Sequence, residues 1–234
     1  MRYEWLNFNA PLSGRRADAI ARALAAAEPD TIVDLGCGWG ELLLRTLAAA
    51  PRAAGRGIDT DPAVLERARG NAVARGLANR VAFVEGPAPR EHETADLAIC
   101  VGADHAYGSQ AEALAVLHDL VRPGGQLLFG SGYWEREPSR EQAAAVGLDP
   151  GSLADLAGLV DLAVAAGFRP LFIQTANRDE WERFESGFLA DWEHGLLGTD
   201  EPELRAKADA HRSGWLRGYR DVLGFAYLTL GRPR

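Results

Sequence analysis

The residues best equipped for chemistry stand close together in the first third of the chain. Asp34 is followed, after Leu35, by Gly36-Cys37-Gly38-Trp39-Gly40. Glycine lacks a Cβ and tolerates positive φ, so such a loop lets the backbone approach a ligand closely. The aspartate sets the sign of that ligand. A dinucleotide pyrophosphate calls for the spacing Gly-x-Gly-x-x-Gly on a helix N-terminus, whereas here the glycines are compressed to Gly36-x-Gly38-x-Gly40. A carboxylate just before them would repel a pyrophosphate and attract a cation.

S-adenosylmethionine carries a sulfonium and an ammonium, so it matches where a dinucleotide does not. Asp59, roughly 20 residues beyond the loop, is the position from which a carboxylate can accept both hydroxyls of a ribose.

These residues need elements to hold them. Ser13 to Glu28 carries Ala17, Ile20, Ala21, Leu24 and Ala25 at helical spacing with Ser13 as N-cap, and Pro29-Asp30 breaks it. Thr31 to Leu35 is a short strand that runs into the glycine loop, and Glu41 to Ala50 is the helix after it. A second strand ends at Gly57-Ile58-Asp59; Asp61 then caps a helix over Ala63 to Arg75 with Pro62 at its first position. Arg80 to Glu85 and Ala95 to Val101 read as strands three and four, the latter apolar enough for burial on both faces. Gln110 to Val121 is helical, Pro123-Gly124-Gly125 turns the chain, and Gln126 to Gly130 is strand five. Leu153 to Ala166 is a helix, Arg169 to Thr175 strand six and Leu223 to Leu230 the last strand. Strands alternating with helices predict an α/β, doubly wound, mainly parallel sheet. Asn177 to Val222 is too long and too helical for a hairpin. We read one domain over 1–234, with an N-terminal arm and helix over 1–28 and a helical insertion or cap over 177–222.

In this order, Val33 to Gly40, Gly57-Ile58-Asp59, the Ala95 to Val101 strand and Arg122-Pro123-Gly124-Gly125 resemble the class I S-adenosylmethionine-dependent methyltransferases, most of all small-molecule enzymes of the ubiquinone-biosynthesis-like type. The resemblance covers about residues 14 to 175 and the last strand. It implies a Rossmann-like seven-stranded sheet ordered 3-2-1-4-5-7-6 with strand seven antiparallel, S-adenosylmethionine as cofactor, and in-line methyl transfer to a small molecule. It puts Asp34, Gly36, Cys37, Gly38 and Gly40 at the methionine end, Asp59 and Thr60 at the ribose, and Pro87, Ala88, Val101 and Gly102 around the adenosine. Many relatives hold the adenine amino group with an acidic side chain after strand three; this chain has Gly86-Pro87-Ala88 there, a loss of about 1 kcal/mol of hydrogen bonding.

Methyl transfer asks the protein to align the nucleophile and to remove its proton where it has one. The loop after strand four reads Gly102-Ala103-Asp104-His105-Ala106-Tyr107-Gly108. His105 is the candidate base, and Asp104 or Tyr107, the latter counted with His105 among the catalytic candidates, could orient the substrate. Alternatively, Asp104 caps the next helix and His105 packs over the adenosine. Three aromatic groups are candidates for the pocket wall: Trp39 in the glycine loop, Tyr133 and Trp134 following strand five, and Tyr3, Trp5 and Phe8 before the first helix, of which Trp5, Tyr133 and Trp134 are the substrate-binding candidates. Trp181, Phe184, Phe188 and Trp192 recur at three- and four-residue steps, as helix packing does. None of His92, His118, His194 and His211 has a metal-like partner at helical spacing, so no metal is expected.

Composition narrows the alternatives. With 33 acidic and 25 basic residues the net charge is −8, and the arginines are scattered, so nucleic acid is not an expected partner. Lys207 is the sole lysine, which leaves none for a Schiff base or a Walker-type phosphate loop. Cys37 and Cys100 form no disulfide or zinc pattern. No apolar run of about 18 residues occurs, so neither a membrane span nor a leader is expected and a cytoplasmic protein is. The competing reading is a non-catalytic domain that binds or senses S-adenosylmethionine or another nucleoside. It would keep Asp34 and Asp59 and need no base after strand four.

Overall fold

The computed structural model describes residues 3–87 and 94–234; the expected adenosine contact Ala88 and the charged run containing His92 lie outside the described residues. Along the chain come α1 (Gly14–Ala25), β1 (Thr31–Leu35), α2 (Glu41–Ala49), β2 (Ala54–Asp59), α3 (Pro62–Ala74), β3 (Val81–Glu85) and β4 (Ala95–Val101). Then follow α4 (Gln110–Leu120), β5 (Val121–Trp134), a short α5 (Arg140–Ala144), α6 (Leu156–Ala165), β6 (Arg169–Thr175), α7 (Arg178–Leu196), α8 (Pro202–Ser213) and β7 (Leu223–Gly231). The strands form one sheet ordered β3-β2-β1-β4-β5-β7-β6. β7 runs antiparallel to both β5 and β6, and the other neighbours are parallel. This is the order and sense that the sequence resemblance implies.

The local signals act as their chemistry requires. Ser13 accepts from the Arg16 amide and Asp61 from the Ala63 amide, each satisfying a donor in a first helical turn. Helices cover both faces of the sheet, which is why β4 is buried along nearly its whole length. On one face α1 and α2 bury Ile20, Leu24, Leu43 and Leu47 against Ile99 and Leu128. On the other, α4 and α6 bury Leu114, Leu117 and Leu159 against Phe129.

β5 is longer than the sequence pattern suggests, because β7 pairs with it from Gln126 as far as Trp134. Tyr133 and Trp134 are therefore buried strand residues and do not belong to a loop after the strand.

The segment between β6 and β7 is α7, α8 and a π-helical turn over Gly214–Tyr219. Buried Glu180 ties α7 to α1, accepting from Ser13 Oγ at 2.6 Å and Arg16 Nε at 2.9 Å. The aromatic stripe packs along α7 and against its neighbours: Phe188 meets Phe184, Trp192, Tyr3 of the arm and His211 of α8. Among the described residues no helix is long and apolar enough to cross a membrane.

Candidate active site at the carboxyl ends of β1, β2 and β4

Parallel pairing of β1 with β2 sets Asp34 beside Gly57 and Leu35 beside Ile58. The amides of Gly36 and Cys37 then donate to the Ile58 carbonyl at 2.8 and 3.0 Å, folding the glycine loop back over the end of β2. Gly36 has φ +70° and lies so close to the β4 loop that an added Cβ would stand 2.4 Å from the Ala103 Cβ. Gly38 has φ +52° and a Cβ there would meet nothing within 4 Å, so its open side faces a cleft. Gly40 sits farther back, capping α2 against Phe83.

Two carboxylates meet in this cleft, which has a volume of about 250 Å³. Asp59 Oδ2 accepts from the Gly38 amide at 2.8 Å and Oδ1 from the Asp61 amide at 3.0 Å. Each oxygen keeps a second lone pair, as a ribose diol requires. Asp34 is only 4% exposed. Burial, followed by the charge of Asp59, pushes its carboxyl up to about 8. No basic side chain among the described residues pairs with it. An anion here would meet the charge of Asp59 and keep Asp34 protonated, whereas an ammonium or sulfonium would supply the counter-charge that lets Asp34 ionise. The donor set thus fits S-adenosylmethionine and disfavours a pyrophosphate.

Cys37, Thr60, Val101 and Gly102 also line the cleft. Burial, with the charges of Asp34 and Asp59, raises the Cys37 thiol, which keeps it neutral. Gly86 reaches the cleft where Pro87, in the same turn, is exposed. Residues that sequence reasoning passed over complete the wall: Asn9, Ala10 and Leu12 of the arm and Glu41 and Leu42 of α2. Phe8 stands with them, and buried Trp39 anchors the arm by donating from Nε1 to the Asn7 carbonyl at 2.8 Å. The arm carries no motif, so its closure over the glycine loop is visible only in three dimensions.

The β4 loop forms one 3₁₀ turn, Asp104–Tyr107. His105 is exposed on the cleft wall. Its neighbours turn the other way. Tyr107, 1% exposed, packs in the core beneath α4 and outside the cleft lining. Asp104 Oδ2 accepts from Ser131 Oγ at 2.7 Å, and Gln110 Nε2 donates to that same Ser131 oxygen at 2.7 Å. Burial raises the Asp104 carboxyl. Trp5, 56% exposed, stacks on His194 at 4.6 Å, away from the cleft. Tyr133 donates to Glu135 Oε1 at 2.6 Å, and Trp134 Nε1 to the Pro150 carbonyl at 2.9 Å; neither lines the cleft. Among the described residues no group of three or more His, Cys, Asp or Glu side chains could hold a metal ion.

Comparison with known proteins agrees with this geometry. Residues 32–125 match the family described as "Methyltransferase domain". The protein YjhP of Escherichia coli (strain K12) is 32% identical over 228 residues, covering 94% of this chain and 92% of its own. The crystal structure of an S-adenosylmethionine-dependent methyltransferase from Geobacter sulfurreducens in complex with S-adenosyl-L-homocysteine superposes with TM-score 0.87 at 27% identity, covering 97% of this chain and 94% of that one. That of an S-adenosylmethionine-dependent methyltransferase from Thiobacillus denitrificans, also in complex with S-adenosyl-L-homocysteine, gives 0.86 at 26% identity, covering 96% and 93%.

Proposed function

Since the chain belongs to the class I S-adenosylmethionine-dependent methyltransferases, we propose that it methylates a small-molecule acceptor, in the manner of the ubiquinone-biosynthesis-like enzymes, with His105 taking the acceptor's proton. The observation that carries this reading is the position of His105 on the wall of a cleft whose inner end holds Asp34 and Asp59. S-adenosylmethionine supplies a methyl carbon already activated by its sulfonium. What remains for the protein is binding, alignment, exclusion of water and removal of a proton.

Asp34 receives the positive end of the cofactor and Asp59 its ribose. The glycine loop, with Thr60, Val101 and Gly102, shapes the bed, while Phe8 to Leu12 close it from above. Asp104 acts on the site through the turn that carries His105, since Ser131, itself held by Gln110, donates to its carboxylate from within. The insertion over 177–222 acts as a cap within a single domain. Both cysteines are free thiols, in keeping with a reducing, cytoplasmic setting.

The test is formation of S-adenosylhomocysteine on incubation with S-adenosylmethionine and a panel of low-molecular-weight metabolites. Turnover that depends on one of them supports the proposal. Turnover seen only with protein or RNA acceptors overturns the small-molecule reading.

A further inference from the structure

Arg67 lies half-buried on α3, is not part of the cleft wall, and forms no ion pair among the described residues. Its terminal nitrogens reach one segment instead. Nη1 donates to the Tyr3 carbonyl at 3.1 Å and Nη2 to the Leu6 carbonyl at 3.4 Å, while the guanidinium lies 4.3 Å from the centre of the Trp39 ring. Trp39 belongs to the glycine loop and lines the cleft, and its own Nε1 holds the Asn7 carbonyl at 2.8 Å. One arginine thus joins α3, the glycine loop and the arm.

The arm depends on such ties. Residues 3–12 form neither helix nor strand, and the backbone bonds they make among themselves run from the Leu6 amide to the Tyr3 carbonyl at 3.3 Å and from the Leu12 amide to the Ala10 carbonyl at 2.7 Å. Side chains of other elements supply the rest. Besides Arg67 and Trp39, Asp191 of α7 accepts from the Tyr3 amide at 2.7 Å and Tyr227 of β7 donates to the Pro11 carbonyl at 3.0 Å. A segment held in this way opens locally at a small fraction of the cost of unfolding the sheet behind it. Phe8, Asn9, Ala10 and Leu12 form part of the cleft wall, so lifting the arm opens the cleft along that side.

We propose that Arg67 is a positioning residue that latches the arm over the bound cofactor, so that S-adenosylmethionine enters and S-adenosylhomocysteine leaves at the rate at which this latch lets the arm open. The inference rests on the assignment of the cleft to the cofactor. Arg67 acts through Trp39 and the arm, and the ties it makes are the same with and without cofactor. Its loss therefore speeds entry and exit together and leaves the binding equilibrium nearly where it was. That signature separates a latch from a wall contact, whose loss speeds exit alone. It also separates a latch from a residue that only supports the fold, whose loss lowers the melting temperature and moves neither rate.

The test measures association and dissociation of S-adenosylhomocysteine by stopped-flow fluorescence, and exchange of the arm amides by hydrogen–deuterium exchange, in the wild type, Arg67→Met and Arg67→Lys. Arg67→Met keeps an apolar stem and loses two hydrogen bonds and a cation–π contact, so both rate constants are expected to rise about tenfold, with the dissociation constant within about threefold of the wild type. The amides of Leu6 and Leu12 should exchange about tenfold faster in this variant, with or without S-adenosylhomocysteine. Arg67→Lys, which keeps a cation for Trp39, should fall between the two, and it serves alone if the methionine variant fails to fold. Dissociation that speeds up by itself with a matching loss of affinity, or rates unchanged in both variants, overturns the inference. So does S-adenosylhomocysteine binding that leaves the exchange of the wild-type arm unaltered. If S-adenosylhomocysteine does not bind the wild type at all, the cofactor reading of the cleft falls first, and the ligand-free exchange rates still show whether Arg67 holds the arm.

Discussion

The amide of Gly38 donates to Asp59 Oδ2 at 2.8 Å, joining the middle of the glycine loop to the end of the second strand across 21 residues. The carboxylate that we propose for the ribose thereby also fixes the loop proposed for the methionine end. Binding and loop geometry are one structure, so a substitution at Asp59 strikes both.

Asp59→Ala is accordingly expected to leave the fold intact, by circular dichroism, while weakening S-adenosylhomocysteine binding by about 1.5–3 kcal/mol, the range for hydrogen bonds to a charged group. Asp59→Asn, which can still accept from the Gly38 amide, should lose less. An unchanged dissociation constant in Asp59→Ala would put the ribose elsewhere.

Asp34 should make the ligand-free protein less stable as pH rises. Its folded-state carboxyl is raised from 3.8 to about 8, so between those values the folded chain holds a proton that the unfolded chain has released, and stability falls with increasing pH. Asp34→Asn removes this cost. It should be more stable than the wild type by on the order of 5 kcal/mol near the upper end of the range, with a correspondingly higher melting temperature, and the two should converge as pH drops to about 4. Parallel melting curves across the range would refute the assignment.

His105→Ala should lower turnover by about 10²- to 10⁴-fold with cofactor affinity within twofold of the wild type. Parallel loss of both would make His105 an adenosine contact. Full turnover would leave alignment as the catalytic device.

Gly224→Ala should drive a Cβ into the Tyr133 ring and cost about 1–3 kcal/mol, read as a drop of about 2–10 °C in melting temperature. A melting temperature equal to the wild type's would mean that the Tyr133 side chain yields without cost.

The fold was legible because its signals are local. Ser13 and Asp61 cap the helices that their positions announce, and the alternation of apolar strands with helices dictates a parallel sheet. That Asp34, Gly36, Gly38 and Asp59 come together in one cleft was legible for the same reason, since they lie at strand ends that the pattern itself marks. What stayed hidden depends on contacts distant in sequence. The end of β5 is set by its pairing with β7, so Tyr133 and Trp134 read as loop residues. Tyr107 and His105 are two positions apart on one turn, and only the packing beneath α4 decides that the tyrosine points inward. Asn9, Ala10 and Leu12 have unremarkable side chains and enter the cleft because Trp39 holds Asn7.

The most direct test of the cofactor site is the proton balance of S-adenosylhomocysteine binding near neutral pH, measured by calorimetry in two buffers of different ionisation enthalpy. If the buried carboxyl of Asp34 receives the ligand's ammonium, binding should release about one proton in the wild type and none in Asp34→Asn, and NAD should give no binding heat. Binding without proton release in the wild type, or NAD binding in its place, would contradict it.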